Sequence, residues 1–417
     1  MEAAAAGVGV DVVADAAVEA ALREALAALG EDAGAAASLR GRLQAAHRGT
    51  GSTGARLSTP RGRRLYVKVP APEGQRVSAF SSAELFHNEA QVYRLALPAF
   101  ARLGVFTAAP RCLAADGAAI VLEDLSARGF AVPCRYRGLG LDQLRLLVHQ
   151  LGRFQAASLA VRTLDPATYS LMQQNIREVI YTDKFLQLYA PVLEFAARDA
   201  VQMVRKAYQN NGVYLQKLLE FAPSVVERMK SFITQSTGDF VVLTHGDIWA
   251  SNLLFRYSCS SNGVQVPEEV CIVDYQTCRW APMGLDVAYA LLTTPSRQLS
   301  AGEWSELVGE WERGLQAGLA PLGLTALAPA RPALDALLAA AAPYVLGAGL
   351  LNVVLTLDEG GGGGGGGGGV ADRQPADEGD ALAEFVRGLQ APFTRKTANC
   401  QQRVLDLIVN VIDKGFL

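Results

Sequence analysis

Histidine and cysteine are scarce and scattered in this sequence. The chain of 417 residues has four histidines, which lack the spacing of metal ligands, and six cysteines, none of them in a C-x-x-C pair. This pattern does not predict a zinc site or a disulfide scaffold. It favours a reducing, cytoplasmic compartment.

An excess of positive charge is also missing. The net charge is −3, so the sequence lacks the basic footprint of a nucleic-acid-binding protein and the polybasic segment that binds anionic membranes. The first residues include Glu2, Asp11 and Asp15 instead of a basic segment, so no signal peptide is expected. We therefore expect neither nucleic acid nor a membrane among the partners.

Hydrophobic runs of membrane-spanning length are absent as well. The most apolar stretch, residues 336–351, contains Pro343, Gly347 and Gly349 and is shorter than the about 20 residues that a span needs. We expect a buried helix there.

One segment is almost pure glycine. Residues 360–369 are all glycine and are followed by a polar stretch. Such a run cannot form a core, so it predicts a flexible loop at about 358–380.

The remaining pattern predicts two lobes, since the chain exceeds the length of an average domain. Residues 1–125 would form an N-terminal helix, an antiparallel sheet and a second helix, and residues 126–417 a larger, mainly helical lobe. The fold class is therefore α+β. The predicted elements of the first lobe are helices at 16–29 and 82–97 and strands at 34–46, 63–70 and 120–125, with a turn-rich segment at 47–54.

The strongest chemical signal lies at residues 241–255, VVLTHGDIWASNLLF. Asp247 follows a β-branched apolar run, Asn252 comes five residues later, and Asp274 ends a second apolar run downstream. Phosphoryl transfer from a nucleotide uses this order: one aspartate orients and deprotonates the hydroxyl, and an asparagine and a second aspartate bind Mg²⁺. The sequence thus predicts a catalytic loop at 244–255 and a metal-binding strand end at 271–276.

The spacing has a geometric reason. One turn of chain separates Asp247 from Asn252, so both can face one cleft. Mg²⁺ requires near-octahedral oxygen ligation, so Asp274 must approach from a neighbouring strand. Residues 256–269 predict the hairpin that joins the two strands, because they include the turn-forming residues Ser258, Ser260, Ser261, Asn262, Gly263 and Pro267.

A lysine in the first lobe completes the candidate site. Lys68 lies in the middle of the strand predicted at 63–70. There Leu65, Val67 and Val69 would face one way and Tyr66 and Lys68 the other. Lys68 could neutralise the nucleotide phosphates. It needs an anionic anchor, for which Glu89 on the following helix is preferred and Glu84, one turn earlier, is the alternative.

Other nucleotide contacts are less specific. The glycine signature G-x-G-x-x-G is absent, and backbone N–H groups near Ser38 could cap the phosphates instead. The strand that ends near Glu123 and Leu125 would offer backbone groups to adenine.

With these residues, the sequence resembles the ecdysteroid kinase-like family, also called CHK kinase-like, over nearly the whole chain. That family belongs to the aminoglycoside and choline phosphotransferase branch of the protein-kinase-like, bilobal fold. The most specific block is HGD-x-W-x-x-N, which includes Trp249. The other similar blocks are LYVKVP, FHNEAQVYRLALPAF, IVLEDLSARGF and VDYQTCRWAPMGLDVAYALL.

The resemblance implies a role for each residue. Asp247 would be the catalytic base, Asn252 and Asp274 the metal ligands, and Lys68 and Glu89 the phosphate-orienting pair. His245 and Asp286 would brace the catalytic loop. The chain departs from the family at Gln155, where members often have histidine, and in its glycine run.

The implied function is an ATP- and Mg²⁺-dependent kinase, expected to be a monomer, that phosphorylates a hydroxyl of an ecdysteroid-like steroid or a xenobiotic alcohol. One alternative is a kinase of a polar metabolite such as choline or an amino sugar. A cationic acceptor would need an acidic or aromatic cage, which the sequence does not reveal. A second alternative is an inactive, ligand-binding relative.

Overall fold

The computed structural model describes residues 16–37, 44–48, 52–70, 81–209, 212–260, 262–358 and 378–417. Ser38 and the glycine run at 360–369 lie outside these ranges, so the predictions made for them stay predictions. The predicted lobe boundary at residue 125 also stays a prediction, although residue 125 itself is described.

An antiparallel sheet forms the first part of the described chain. Its strand order is β1-β2-β3-β5-β4. In β3, Leu65 and Val67 are buried against Leu22 of helix α1, while Tyr66 and Lys68 lie on the opposite face. This alternation is the one predicted from the sequence. The bounds are α1 Ala16–Ala28, β1 Gln44–Arg48, β2 Ser52–Ser58, β3 Arg64–Pro70, β4 Cys112–Ala115 and β5 Ile120–Glu123.

The predicted strand at 34–46 is wrong in its first part. A 3₁₀ turn at Ala33–Ala35 begins there, and the Asp32 side chain caps it by accepting the Gly34 N–H at 2.9 Å. The turn-rich segment also differs, because β2 already begins at Ser52. Gly54 in β2 pairs with Lys68, and a Cβ on Gly54 would lie 2.0 Å from the Tyr66 hydroxyl. Glycine is therefore a strand residue here, because it leaves room for a cross-strand aromatic ring.

The helix after β3 places the predicted glutamate. Helix α2 begins after Ser81, whose hydroxyl accepts the Glu84 N–H at 3.2 Å, and it passes through a π-helical turn at Val92–Ala96 into α3. The bounds are α2 Ser82–Gln91 and α3 Leu97–Arg102. The predicted helix at 82–97 is present and is extended by α3.

Most of the remaining chain is helical, as predicted. The helices before the catalytic loop are α4 Leu141–Leu164, α5 Pro166–Asn175, α6 Asp183–Ala207, α7 Gly212–Phe221 and α8 Val225–Ile233. Those after it are α9 Gly284–Thr293, α10 Ala301–Leu319, α11 Arg331–Leu357, α12 Glu378–Thr394 and α13 Ala398–Asp413.

Helix α11 contains the apolar stretch noted above. It is the one helix of the described residues with the length and hydropathy of a membrane span, and 72% of its most apolar window is buried inside the protein. Leu338, Val345 and Val354 are among its core side chains. The predicted buried helix is therefore confirmed, and these features are weak evidence for a span.

Two short antiparallel pairs carry the predicted catalytic segments. Strand β6 (Val241–Thr244) pairs with β9 (Arg279–Pro282), and β7 (Leu253–Cys259) pairs with β8 (Gln265–Ile272). The predicted hairpin is confirmed, with strands that extend further into it than expected. This arrangement places the loop after β6 next to the loop after β8.

Candidate active site

The loop after β6 is held by a buried carboxylate. Asp286, in the first turn of α9, accepts the N–H of His245 at 2.7 Å and the N–H of Gly246 at 2.9 Å. Burial raises the pKa of Asp286, and these N–H donors and the His245 ring act against that rise. The bracing contact expected for Asp286 is present.

His245 connects the two loops. Its Nδ1 accepts the Asp247 N–H at 3.3 Å, so its Nε2 carries the proton and donates to the Val273 carbonyl at 3.0 Å. Burial lowers the pKa of His245, which keeps the ring neutral. The side chain therefore positions the loops.

Gly246 is required by its surroundings. Its φ is 83°, and a Cβ there would lie 2.6 Å from the Thr277 carbonyl oxygen. Both the left-handed conformation and this close approach exclude a side chain.

Asp247 and Asn252 form one hydrogen-bonded unit. The Asn252 amide nitrogen donates to the Asp247 carbonyl at 2.9 Å and to its Oδ2 at 3.0 Å. Burial, and next the negative charge of Asp274, raise the pKa of Asp247 to about 7. A carboxylate with such a pKa is suited to accept a proton near neutral pH.

Lys68 lies between two carboxylates. Its Nζ is 2.8 and 2.6 Å from the two oxygens of Glu89 and 2.8 Å from Asp274 Oδ1. Burial acts to lower the pKa of Lys68, but the charges of Asp274 and Glu89 outweigh it and raise that pKa. The preferred contact with Glu89 is present, whereas Glu84 is exposed in the first turn of α2.

Asp274 has an unusual backbone. Among the described residues it is the only one besides glycines with a left-handed conformation, at φ 71°. Such conformations are sparsely populated and occur preferentially at functional sites. Its Oδ2 also accepts a hydrogen bond from the Gln276 amide at 3.3 Å.

The oxygen atoms here suit a hard cation better than a soft one. In the described part of the chain, no group of three or more His, Cys, Asp or Glu side chains could hold a metal. Because the Asn252 amide nitrogen is used by Asp247, the Asn252 Oδ1 is the atom available as a ligand. One carboxylate and one amide oxygen fit Mg²⁺, which usually completes its shell with water and phosphate.

Hydrogen bonds within the first part of the chain hold the end of the strand predicted to contact adenine. The Glu123 carboxylate accepts the Arg111 N–H at 2.9 Å and a hydrogen bond from Arg128 at 3.1 Å. The Leu125 carbonyl accepts the Phe130 N–H at 3.2 Å. Their contact with adenine stays a prediction.

Sequence reasoning missed Asn88. Its amide nitrogen donates to the carbonyls of Gln276 at 3.0 Å and Cys278 at 2.8 Å, and its oxygen accepts the Arg177 N–H at 3.0 Å. The only signal was its place beside Glu89.

Arg279 was also missed. This buried side chain in β9 pairs through Nε with Glu178 Oε2 at 3.2 Å and donates through Nη2 to the Tyr344 hydroxyl at 2.8 Å. Its guanidinium carbon lies 5.0 Å from the ring centre of Tyr181. A lone arginine in the apolar strand RWAP was the signal.

Comparison with known proteins identifies the family. The sequence profile of the ecdysteroid kinase-like family matches residues 49–324. The chain belongs to this family. The match and the observed architecture confirm the predicted α+β, protein-kinase-like, bilobal fold, and family membership supports a small-molecule phosphotransferase. No match was found among curated proteins.

Several solved kinases align with this ecdysteroid kinase-like protein at low similarity. A Plasmodium vivax ethanolamine kinase aligns with 11% identity over 91% of this chain and 85% of its own, at a TM-score of 0.43. An amicoumacin kinase aligns with 13% identity over 84% of this chain and 88% of its own, at a TM-score of 0.41. A macrolide 2'-phosphotransferase from Brachybacterium faecium aligns with 15% identity over 72% of this chain and 91% of its own, at a TM-score of 0.34. Scores this low carry no information about the substrate.

Gln155, where the resemblance leads us to expect histidine, is buried and fully hydrogen-bonded. Its amide nitrogen donates to the Met283 carbonyl at 2.7 Å, and its oxygen accepts the Trp311 indole N–H at 2.7 Å. The side chain joins α4 to α10 and to the start of α9, and both of its polar atoms are satisfied.

Replacing Asp286 with asparagine is expected to destabilise the protein. An amide can accept one of the two loop N–H groups but opposes the other with its own donors. A buried unsatisfied donor costs about 1–3 kcal/mol. Urea unfolding measures the change, and Asp335→Asn, in an exposed ion pair with Arg331, is the matched control with an expected change of at most about 1 kcal/mol. Equal stabilities of the two variants would refute the bracing role.

Proposed function

We propose that this protein transfers the γ-phosphoryl group of ATP to a hydroxyl of a small molecule, a steroid or a xenobiotic alcohol. The observation that carries the proposal is the position of Lys68, whose Nζ contacts both Glu89 and Asp274. This brings together a cation for the phosphates and the carboxylate predicted to bind the metal, although 206 residues separate them in sequence.

Asp247 acts as the general base. The acceptor oxygen attacks the γ-phosphorus, its proton passes to the Asp247 carboxylate, and ADP leaves with the electrons of the broken P–O bond. Asn252 holds that carboxylate through its amide N–H. Positioning and charge stabilisation supply most of the catalysis in such transfers.

Asn252 and Asp274 would hold Mg²⁺. When bound, the ion would neutralise negative charge on the phosphates. Lys68, fixed by Glu89, would contribute a second positive charge to the same groups. Backbone groups at Glu123 and Leu125 would contact adenine, and those near Ser38 would cover the phosphates.

Two alternatives differ in their predictions. An inactive binder would have no use for the intact set of Lys68, Asp247, Asn252 and Asp274. A kinase of choline or an amino sugar would need a cage for its cation. The family's name favours a steroid or similar alcohol, and a cytoplasmic monomer remains our expectation.

Transfer of labelled phosphate tests the proposal. With purified protein, Mg²⁺ and γ-labelled ATP, we expect label on at least one compound from a panel of hydroxylated steroids and plant phenols, and none after chelation of the metal. Choline, ethanolamine and amino sugars are included for comparison. Label on these alone would establish the polar-metabolite alternative. Absence of transfer to every compound tested, whether or not calorimetry shows Mg·ATP binding, would support the inactive one.

A further inference from the structure

We infer that Arg279 contacts the acceptor and selects one that presents an oxygen atom, and not an ammonium group, beside the reacting hydroxyl. The inference rests on the proposed function and narrows its substrate class. The acceptors it favours are diols, hydroxyketones and hydroxy acids.

The first observation is the free arm of the guanidinium. Arg279 is only 3% exposed; its Nη2 donates a hydrogen bond to the Tyr344 hydroxyl, and its Nε forms an ion pair, without a hydrogen bond, with Glu178 Oε2. Within the described residues, its Nη1 has no hydrogen-bond partner. That atom lies 3.2 Å from the position of a Cβ on Gly246, next to the candidate base Asp247. A donor so placed faces the catalytic loop.

The second observation is that the guanidinium cannot turn away. It lies over the rings of Tyr181 and Tyr344, at 5.0 and 5.7 Å from their centres. Glu178 is fixed as well, because its Oε1 accepts the N–H groups of Ile180 at 2.7 Å and Tyr181 at 3.0 Å. The carboxylate therefore stays on the Nε side, and the positive charge at Nη1 is not paired directly.

The third observation is the proximity of this cluster to the base. Arg279 in β9 pairs with Thr244 in β6, three residues before Asp247. Its Nη1 lies beside Gly246, which directly precedes Asp247. Two residues after Asp247, the Trp249 ring packs edge-on against Tyr289 with 5.0 Å between centres. The guanidinium therefore lies beside the loop that carries the candidate base.

An ammonium group is disfavoured in these surroundings. The aromatic pair Tyr181 and Tyr344, which could form a cage for a cation, is already occupied by Arg279. A second cation beside the guanidinium would be repelled by its positive charge, and burial of both groups reduces the screening of that repulsion by water. An oxygen atom at the same place would accept the Nη1 N–H in a charge-assisted hydrogen bond.

Matched acceptor pairs test the inference. Each pair differs in one group next to the reacting hydroxyl: ethane-1,2-diol and ethanolamine, glucose and glucosamine, and a steroid 2,3-diol and its 2-amino analogue. Phosphate transfer from labelled ATP gives kcat/KM for each. We expect the oxygen member to be favoured by about tenfold or more in every pair in which either member reacts, a difference of about 1.4 kcal/mol.

Two substitutions with opposite expected effects on the oxygen preference make the test specific. Arg279→Met should reduce this preference by about tenfold, mainly through KM, and Arg279→Lys should retain part of it. Glu178→Gln removes the counter-charge and should increase the preference, which keeps the test decisive if Arg279→Met folds poorly. Arg331→Met, at a partly exposed arginine of α11, is the control and should leave the ratio unchanged.

The outcomes separate the inference from the proposed function. An equal or higher kcat/KM for the ammonium members would overturn the role of Arg279 and leave the kinase activity in place. An unchanged ratio in both Arg279→Met and Glu178→Gln would do the same. Absence of transfer to every member and to the steroid and phenol panel, with Mg·ATP still bound, would overturn both.

Discussion

Asp247→Asn is expected to lower kcat by about 10²- to 10⁴-fold, the usual contribution of a general base. The amide has the shape of the carboxylate and can still accept the Asn252 N–H, so the loop should keep its structure. It cannot accept the proton of the acceptor hydroxyl. Single-turnover transfer of labelled phosphate measures the loss, and calorimetry with Mg·ATP should show binding close to that of the unaltered protein.

The control is the isosteric change Asp335→Asn at an exposed position of α11, which should leave kcat unchanged. A kcat for Asp247→Asn within about a factor of three of the unaltered enzyme would remove Asp247 from the reaction. In that case another group, or water, would have to take the proton.

Lys68→Met is expected to lower kcat/KM by about 10²- to 10³-fold, comparable to the loss of one charge-stabilising donor in other enzymes. The substitution also leaves Glu89, which is 1% exposed, without its counter-charge. Breaking a buried ion pair in this way costs about 3–5 kcal/mol of stability. Activity and unfolding in urea must therefore be measured together.

The double variant Lys68→Met/Glu89→Gln separates the two effects. Neutralising the buried glutamate should restore much of the stability, whereas kcat/KM should stay as low as in Lys68→Met, because the two residues act as one unit. Glu89→Gln alone should reduce kcat/KM more mildly. If activity returned with stability, Lys68 would be a structural residue and the nucleotide side of the proposed site would be wrong.

Glu84→Gln provides the matched control on the same helix. Glu84 is exposed at the start of α2, so its change should be nearly neutral and should add independently to that of Lys68→Met. Coupling of Lys68 to Glu84, with independence from Glu89, would contradict the observed ion pair.

The sequence predicted the parts of the site that depend on local order. The apolar runs before Asp247 and Asp274 are strands or strand ends, and the hairpin between them brings the two loops together as expected. Lys68 lies on the predicted face of β3 because strand alternation is strict. These features follow from short-range periodicity, which a single sequence displays.

Contacts across the chain were not predictable in the same way. Asn88 and Arg279 have partners 89–190 and 65–101 residues away, and nothing in their neighbourhood signals those partners. The Gly54 strand was mistaken for a turn because glycine usually marks turns, and the Tyr66 ring that requires it lies on the next strand. Packing between elements decided each of these cases.

Asn88 also helps to hold helix α2 in its position. It follows the exposed His87 and precedes Glu89 on α2, and it joins that helix to the Gln276 and Cys278 carbonyls and to the Arg177 N–H. An outward movement of the helix that breaks the Lys68–Glu89 pair would also leave these groups without hydrogen-bond partners. Each buried group left in this way costs about 1–3 kcal/mol. An outward displacement of α2 therefore costs these three hydrogen bonds in addition to the Lys68–Glu89 ion pair, so Asn88 stabilises the position of the helix in which that pair forms.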